Sequence, residues 1–183
     1  TTGEFLAAYV PGHRAPHYPT GMAKFIPAGS KLAFQLHYTP IGTPQKDLSR
    51  LGLTFAPPEE AIEQVVVTQQ ASNHRGLVIP PNDNNYKVEA KSKTAPSDVQ
   101  ILAFMPHMHL RGKSFSYAAH FPDGRKETLL DVPQYDFNWQ TAYRVAKPVS
   151  LPKGAYLQCV AHFDNSENNL SNPDPSKTVR WGD

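Results

Sequence analysis

Proline sets the first limit on this chain. Eighteen of its 183 residues are proline, scattered from one end to the other. Each removes a backbone donor and fixes φ, so a helix crossing one loses a hydrogen bond and gains a clash. Long helices are thereby excluded, and short strands joined by turns are favoured. The apolar runs agree. Alternating or β-branched stretches fall at 31–38 (KLAFQLHY), 50–56 (RLGLTFA), 86–92 (YKVEAKS), 99–109 (VQILAFMPHMH), 114–121 (SFSYAAHF), 125–132 (RKETLLDV), 143–151 (YRVAKPVSL) and 156–163 (YLQCVAHF). Between them lie PAGS, PPNDNN, RGK, PDG and PKGA, residues that preset φ or tolerate its positive values. Many short strands with turn signals between them predict an all-β sandwich or barrel. The one helical candidate is 57–64 (PPEEAIEQ), with proline and acid in its first turn. It reads equally as an extended linker.

Two segments echo each other. Residues 26–38 (IPAGSKLAFQLHY) and 151–163 (LPKGAYLQCVAHF) align without a gap, and His37 and His162 hold the same place. A Pro-x-Gly turn feeding a strand is common enough in sandwiches to arise by chance. The alternative is two related β-domains, the first represented by its last part, with a boundary between 57 and 80.

Charge excludes some functions. Eighteen basic and sixteen acidic residues leave a formal charge of +2. No block of like charge supports a nucleic-acid or membrane-surface role, and no apolar run is long enough to span a bilayer. Cys159 is the only cysteine, so neither an internal disulfide nor a cysteine-based zinc site can form. The opening TTGEFLAAYV has no charged segment followed by an apolar one, and without an initial Met it reads as an excised piece.

The histidines carry the chemistry. His107 and His109 stand one residue apart in FMPHMHLRGK. On a strand, i and i+2 share a face, so both imidazoles would address one ion. Neutral imidazole suits copper and zinc, and a thioether adds preference for Cu(I). The plainer reading is a pair of surface or hydrogen-bonded strand histidines. Regular alternation turns Met108 away from the pair and keeps Met105 on its side. In FQLHY, Gln35 and His37 share one face, opposite Phe34 and Leu36. A lone strand histidine such as His37 or His162 is usually structural. His13 and His17, in PGHRAPHYP, read as solvated loop residues, and His74 and His120 have no evident partner. There is no G-x-S-x-G elbow, H-E-x-x-H helix, phosphate loop or dinucleotide glycine pattern. Residues 163–176 (FDNSENNLSNPDPS) are rich in acid and amide but lack the spacing of an EF-hand loop.

Taken together, FQLHYTPIG, MPHMHLRGK, YDFNWQ and HFDNSENN with NPDPSKTVRWGD resemble the copper type II, ascorbate-dependent monooxygenases. That family includes the peptidylglycine α-hydroxylating and dopamine β-monooxygenases, and the likeness is greater to its bacterial members. It extends from about residue 24 to 183. The resemblance implies two jelly-roll β-sandwich domains with one copper each. Residues 1–72 would be the C-terminal part of the electron-transfer domain, incomplete in this chain, and 73–183 the oxygen-activating domain. His37 matches the third histidine of the electron-transfer copper, with Gln35 beside it. His107 and His109 match the two histidines of the oxygen-activating copper. The methionine that completes that site is expected beyond residue 183, and the first two electron-transfer histidines before residue 1. His162 is a candidate substitute ligand.

Met105 stands where the peptide-amidating relative has an arginine for the substrate carboxylate, which argues against a C-terminal-glycine peptide. Cys159 occupies a place that is disulfide-bonded in animal relatives. The implied activity is hydroxylation of a C–H bond by O₂ with an ascorbate-like reductant, on a small-molecule or peptide substrate. The chain alone is expected to be inactive. A periplasmic or secreted location and a fused or separate electron-transfer domain are also implied. The residues alone leave open a non-catalytic jelly-roll binding module, a copper-storage or delivery domain, and zinc in place of copper.

Overall fold

A computed structural model describes residues 5–10, 13, 15–73 and 75–182. His74 lies outside the described residues. Among those described there is no helix, and the chain is all-β. They fall into two compact units. One comprises Phe5 and Leu6 with Pro16–Thr68, the other Ala7–Ala15 with residues 69–182.

The first unit has little regular structure. β1 (Met22–Ala23) pairs in parallel with β2 (Gln64–Val65). Glu60 Oε1 accepts the Gly21 N–H at 2.7 Å, and Lys24 Nζ donates to Thr68 Oγ1 at 2.7 Å and Phe5 O at 2.8 Å. The strands expected at 31–38 and 50–56 are not formed. The alternation that suggested them is real: Leu32, Phe34 and Leu36 are 47%, 56% and 49% exposed, and Leu51, Leu53 and Phe55 are exposed as well. A strand's hydrogen bonds are made to a neighbour, however, and its apolar face needs a second layer. Among the described residues neither segment has either. Residues 57–64 make no helix. A turn in which the Glu60 N–H bonds Pro57 O at 2.9 Å leads into β2.

The second unit holds the sheets. β3 (Val78–Ile79) is followed by β4 (Tyr86–Lys91), β5 (Val99–Phe104), β6 (Gly112–His120), β7 (Lys126–Val132), β8 (Tyr143–Leu151), β9 (Tyr156–Phe163) and β10 (Val179–Arg180). An antiparallel sheet runs in the order β4-β9-β6-β7, a second joins β5 to β8, and β10 pairs with β3. Turn chemistry drives the connections. Gly124, at φ 86°, closes the β6–β7 hairpin, in which the Phe121 N–H bonds Arg125 O at 2.9 Å. Gly154, at φ 89°, turns the chain from β8 into β9, where the Ala155 N–H bonds Pro152 O at 3.0 Å. The echoed turn before residue 31 is built alike, with Gly29 at φ 77° and the Ser30 N–H on Pro27 O at 3.1 Å. Only the second copy continues into a strand.

The four-stranded and two-stranded sheets share one core. Ala119 and Leu151 pack with Phe121 and Ala155, and Ile101, Leu129 and Leu157 close around them. Every strand of the pair and three of the four-stranded sheet contribute, so the unit is a two-layer sandwich. Phe104 of β5 also meets Tyr117 of β6, ring centroids 4.8 Å apart. In β8 the register slips between the Ile101–Val149 and Ala103–Arg144 pairs, with Pro148 inside the slip, where a strand tolerates a residue that cannot donate.

Candidate metal centre

The chain leaves β5 after Phe104 and enters β6 at Gly112. In crossing from one sheet to the other it carries both paired histidines. The strand expected over 99–109 therefore ends five residues early. Pro106 has no N–H to give a ladder, and residues 105–109 join none. Alternation persists without pairing: Pro106 and Met108 are buried, His107 and His109 exposed. Met108, 3% exposed, points into the core, and Met105 is half-buried. A turn closes the segment, the Gly112 N–H bonding His109 O at 2.8 Å.

The two imidazole rings lie 5.2 Å apart between centroids, at 80° to each other. His107 Nδ1 donates to Gln140 Oε1 at 2.7 Å. Gln140 is only 4% exposed, and its amide donates to Phe137 O at 2.9 Å, which fixes which end faces the ring. With Nδ1 carrying the proton, His107 presents the Nε2 lone pair. Metal-bound histidines are held in this way, the far nitrogen tied to a neighbour that sets tautomer and orientation. Rings on one ion, with nitrogen–metal bonds of about 2 Å, have centroids roughly 5–6 Å apart. The donor set thus fits a copper ion. Phe137 lies edge-on to His109 at 6.3 Å and forms an apolar wall.

The other predicted positions are placed separately. His37 is exposed in the first unit, with the Gln35 amide 3.1 Å from its Nε2, so the two residues share a face. His162, on β9, is hydrogen-bonded through Nδ1 to Ser114 Oγ at 3.1 Å. His120 donates to Gln158 Oε1 at 2.8 Å and stacks on Tyr156. His17 is exposed, as expected of a loop residue, but His13 has Nδ1 shut from solvent with no hydrogen-bond partner among the described residues, against the expectation of a solvated ring. Among the described residues no group of three or more His, Cys, Asp or Glu gathers as a metal cluster. Cys159 is buried, and burial pushes its thiol up to about 11. Burial likewise raises the Tyr117 and Tyr135 phenols.

Three features of the site escape sequence reasoning. Gln140 lies within YDFNWQ but nothing in its spacing ties it to His107. Tyr135 donates its hydroxyl proton to Met108 O at 2.8 Å and accepts the Met108 N–H at 3.0 Å. Asn165, fully buried, accepts Arg111 Nε at 2.7 Å, two residues after His109.

The β-sandwich thus presents two imidazoles on one exposed segment, one of them oriented through its far nitrogen. Residues 64–172, more than half of the chain, match the family model described as copper type II ascorbate-dependent monooxygenase, C-terminal domain. The chain belongs to that family, whose members depend on copper and ascorbate. No curated protein matches it significantly.

Proposed function

We propose that this chain binds one copper ion through His107 Nε2 and a ring nitrogen of His109, and that the ion serves hydroxylation of a C–H bond with O₂ and an ascorbate-like reductant. The observation that carries the reading is the Gln140 Oε1 acceptor 2.7 Å from His107 Nδ1, joined to the family match. Bound copper would supply reductive O₂ activation, and imidazole is a fitting donor for both of its oxidation states. The chain's own residues prepare the place. Gln140 holds His107 in the ligating tautomer, and Phe137 screens His109 on one side. Met105, half-buried two residues before His107, is the nearest thioether outside the core, since Met108 is buried.

His37, beside Gln35, is proposed as a ligand of a second, electron-transfer copper. A periplasmic or secreted location follows from the same reading.

Cu(I) titration of the wild type beside the His107→Ala/His109→Ala double variant tests it. One equivalent bound by the wild type and lost in the variant supports the site, and equal binding by both removes it. Oxygen consumption with ascorbate, measured on a chain carrying both copper sites, then separates hydroxylation from copper storage or delivery.

A further inference from the structure

Segment 105–109 has left the ladder of β5 and β8, yet Met108 is 3% exposed. Buried backbone groups outside a sheet need partners from elsewhere. At Met108 both come from a single atom. The Tyr135 hydroxyl accepts the Met108 N–H at 3.0 Å and donates to Met108 O at 2.8 Å, using its one proton and one of its lone pairs.

The position of those two groups matters more than their number. The Met108 N–H belongs to the peptide plane shared with His107, and the Met108 C=O to the plane shared with His109. Peptide planes are rigid, so φ and ψ of Met108 are the soft backbone torsions between the two. One hydroxyl grips both planes and so fixes both torsions. The tyrosine is itself fixed. Its N–H donates to Lys113 O at 2.9 Å, and its ring lies against Gly112, where an added Cβ would come within 2.6 Å of Tyr135 Cδ1 and 2.8 Å of Met108 Cβ. Burial keeps the phenol protonated and able to donate.

We propose that Tyr135 is a positioning residue of the metal site: through the backbone of Met108 it sets the angle and separation of the His107 and His109 rings. The proposal rests on those histidines being the ligands.

Tyr135→Phe keeps the ring and removes the hydroxyl. Four readouts apply. In the metal-free protein, amide exchange at Met108 should become fast, and ring-proton contacts between His107 and His109 should change. With copper, Cu(I) affinity measured against a competing chelator should fall about 10- to 100-fold, the usual effect of losing a residue that orients a ligand. The paramagnetic resonance spectrum of the Cu(II) form should shift as well. Leu151→Ala, which destabilises the shared core without touching the segment, should leave affinity and spectrum unchanged. Gly112→Ala, which pushes on the tyrosine ring, should reproduce the Tyr135→Phe signature, and serves if that variant does not fold. Wild-type copper affinity and spectrum in Tyr135→Phe would overturn the proposal, as would the same losses in Leu151→Ala. If the wild type binds no copper, the assignment of the ligands fails instead. Ring contacts unchanged in metal-free Tyr135→Phe then overturn the positioning role, and altered contacts sustain it.

Discussion

Replacing Asn165 by alanine should cost the second unit about 4–5 kcal/mol. The side chain is wholly buried, and its amide uses all four of its hydrogen-bonding positions. Oδ1 accepts Arg111 Nε at 2.7 Å and Asn172 Nδ2 at 3.1 Å, while Nδ2 donates to Pro80 O at 2.8 Å and Lys177 O at 2.9 Å. Each neutral bond contributes about 1 kcal/mol net and the bond to the guanidinium about 2, with some recovery as water enters the space. The loss is a large share of the roughly 5–15 kcal/mol that holds a typical domain together. Urea unfolding followed by circular dichroism measures it, with the slope against urea unchanged if only the native state is affected. Asn165→Asp keeps the shape and both accepting bonds but turns a second acceptor oxygen toward two carbonyls, so its stability should lie between wild type and alanine. Asn138→Ala, whose bonds to Asp136 are exposed, should cost about 0.5 kcal/mol or less. A loss below about 1.5 kcal/mol in Asn165→Ala would refute the four-way bonding.

Gln140→Leu should weaken copper binding about 10- to 100-fold and leave Phe137 O without its donor, costing about 1–3 kcal/mol. Competition titration and urea unfolding of one preparation read both. His162→Ala should leave copper stoichiometry unchanged, since Nδ1 is engaged by Ser114, and one lost equivalent would make it a ligand. The buried Cys159 thiol sets an alkaline limit. Its proton is released near 9 in the unfolded chain but near 11 in the fold, so its own contribution to stability is constant below about pH 8 and falls by up to about 2–3 kcal/mol as pH rises to 11. Cys159→Ala should lessen the fall measured between pH 8 and 11, and what remains above pH 10 belongs to the Tyr117 and Tyr135 phenols, which burial also raises.

The long strands of the second unit were legible because partner and pattern lay in the same unit, whereas the two-residue β3 and β10 carried no pattern. YRVAKPVSL and YLQCVAHF became β8 and β9 at their expected limits, because alternation, turn residues and a facing sheet all agreed. KLAFQLHY carried as clean a pattern and formed no strand, because alternation states which face wants burial and supplies nothing to bury it against. That His107 and His109 are both exposed between buried Pro106 and Met108 agrees with the alternation, for a reason other than the one that suggested it. Period-two alternation put both rings on one side, but no ladder enforces it. The enforcing contact comes from Tyr135, 27 residues away, and no spacing rule connects the two. The amide-rich stretch after β9 suggested ions by composition alone. In the fold the amides of Asn165, Asn169 and Asn172 are spent on backbone, on Arg111 and on one another.

Placing the two proposed ligands where the chain leaves its sheet has a physical consequence. A ladder would hold every backbone group of a histidine-bearing strand at once, and a one-residue slip would turn both rings inward together. Outside the ladder the same residues are held from two loops. Residues 135–140 grip the segment at Met108 and His107. Residues 164–169 grip Leu110 and Arg111, the Asp164 N–H on Arg111 O at 2.8 Å and Asn169 Nδ2 on Leu110 O at 3.1 Å. Each grip is a side-chain or loop contact that can be removed without unpairing a strand. Substitutions at Tyr135 and Gln140 should therefore move ring geometry and metal affinity more than they move the sandwich, whereas Leu151, in the shared core, should do the reverse. A site built in this way can have its ligand geometry altered in evolution while the sheets beneath it stay the same.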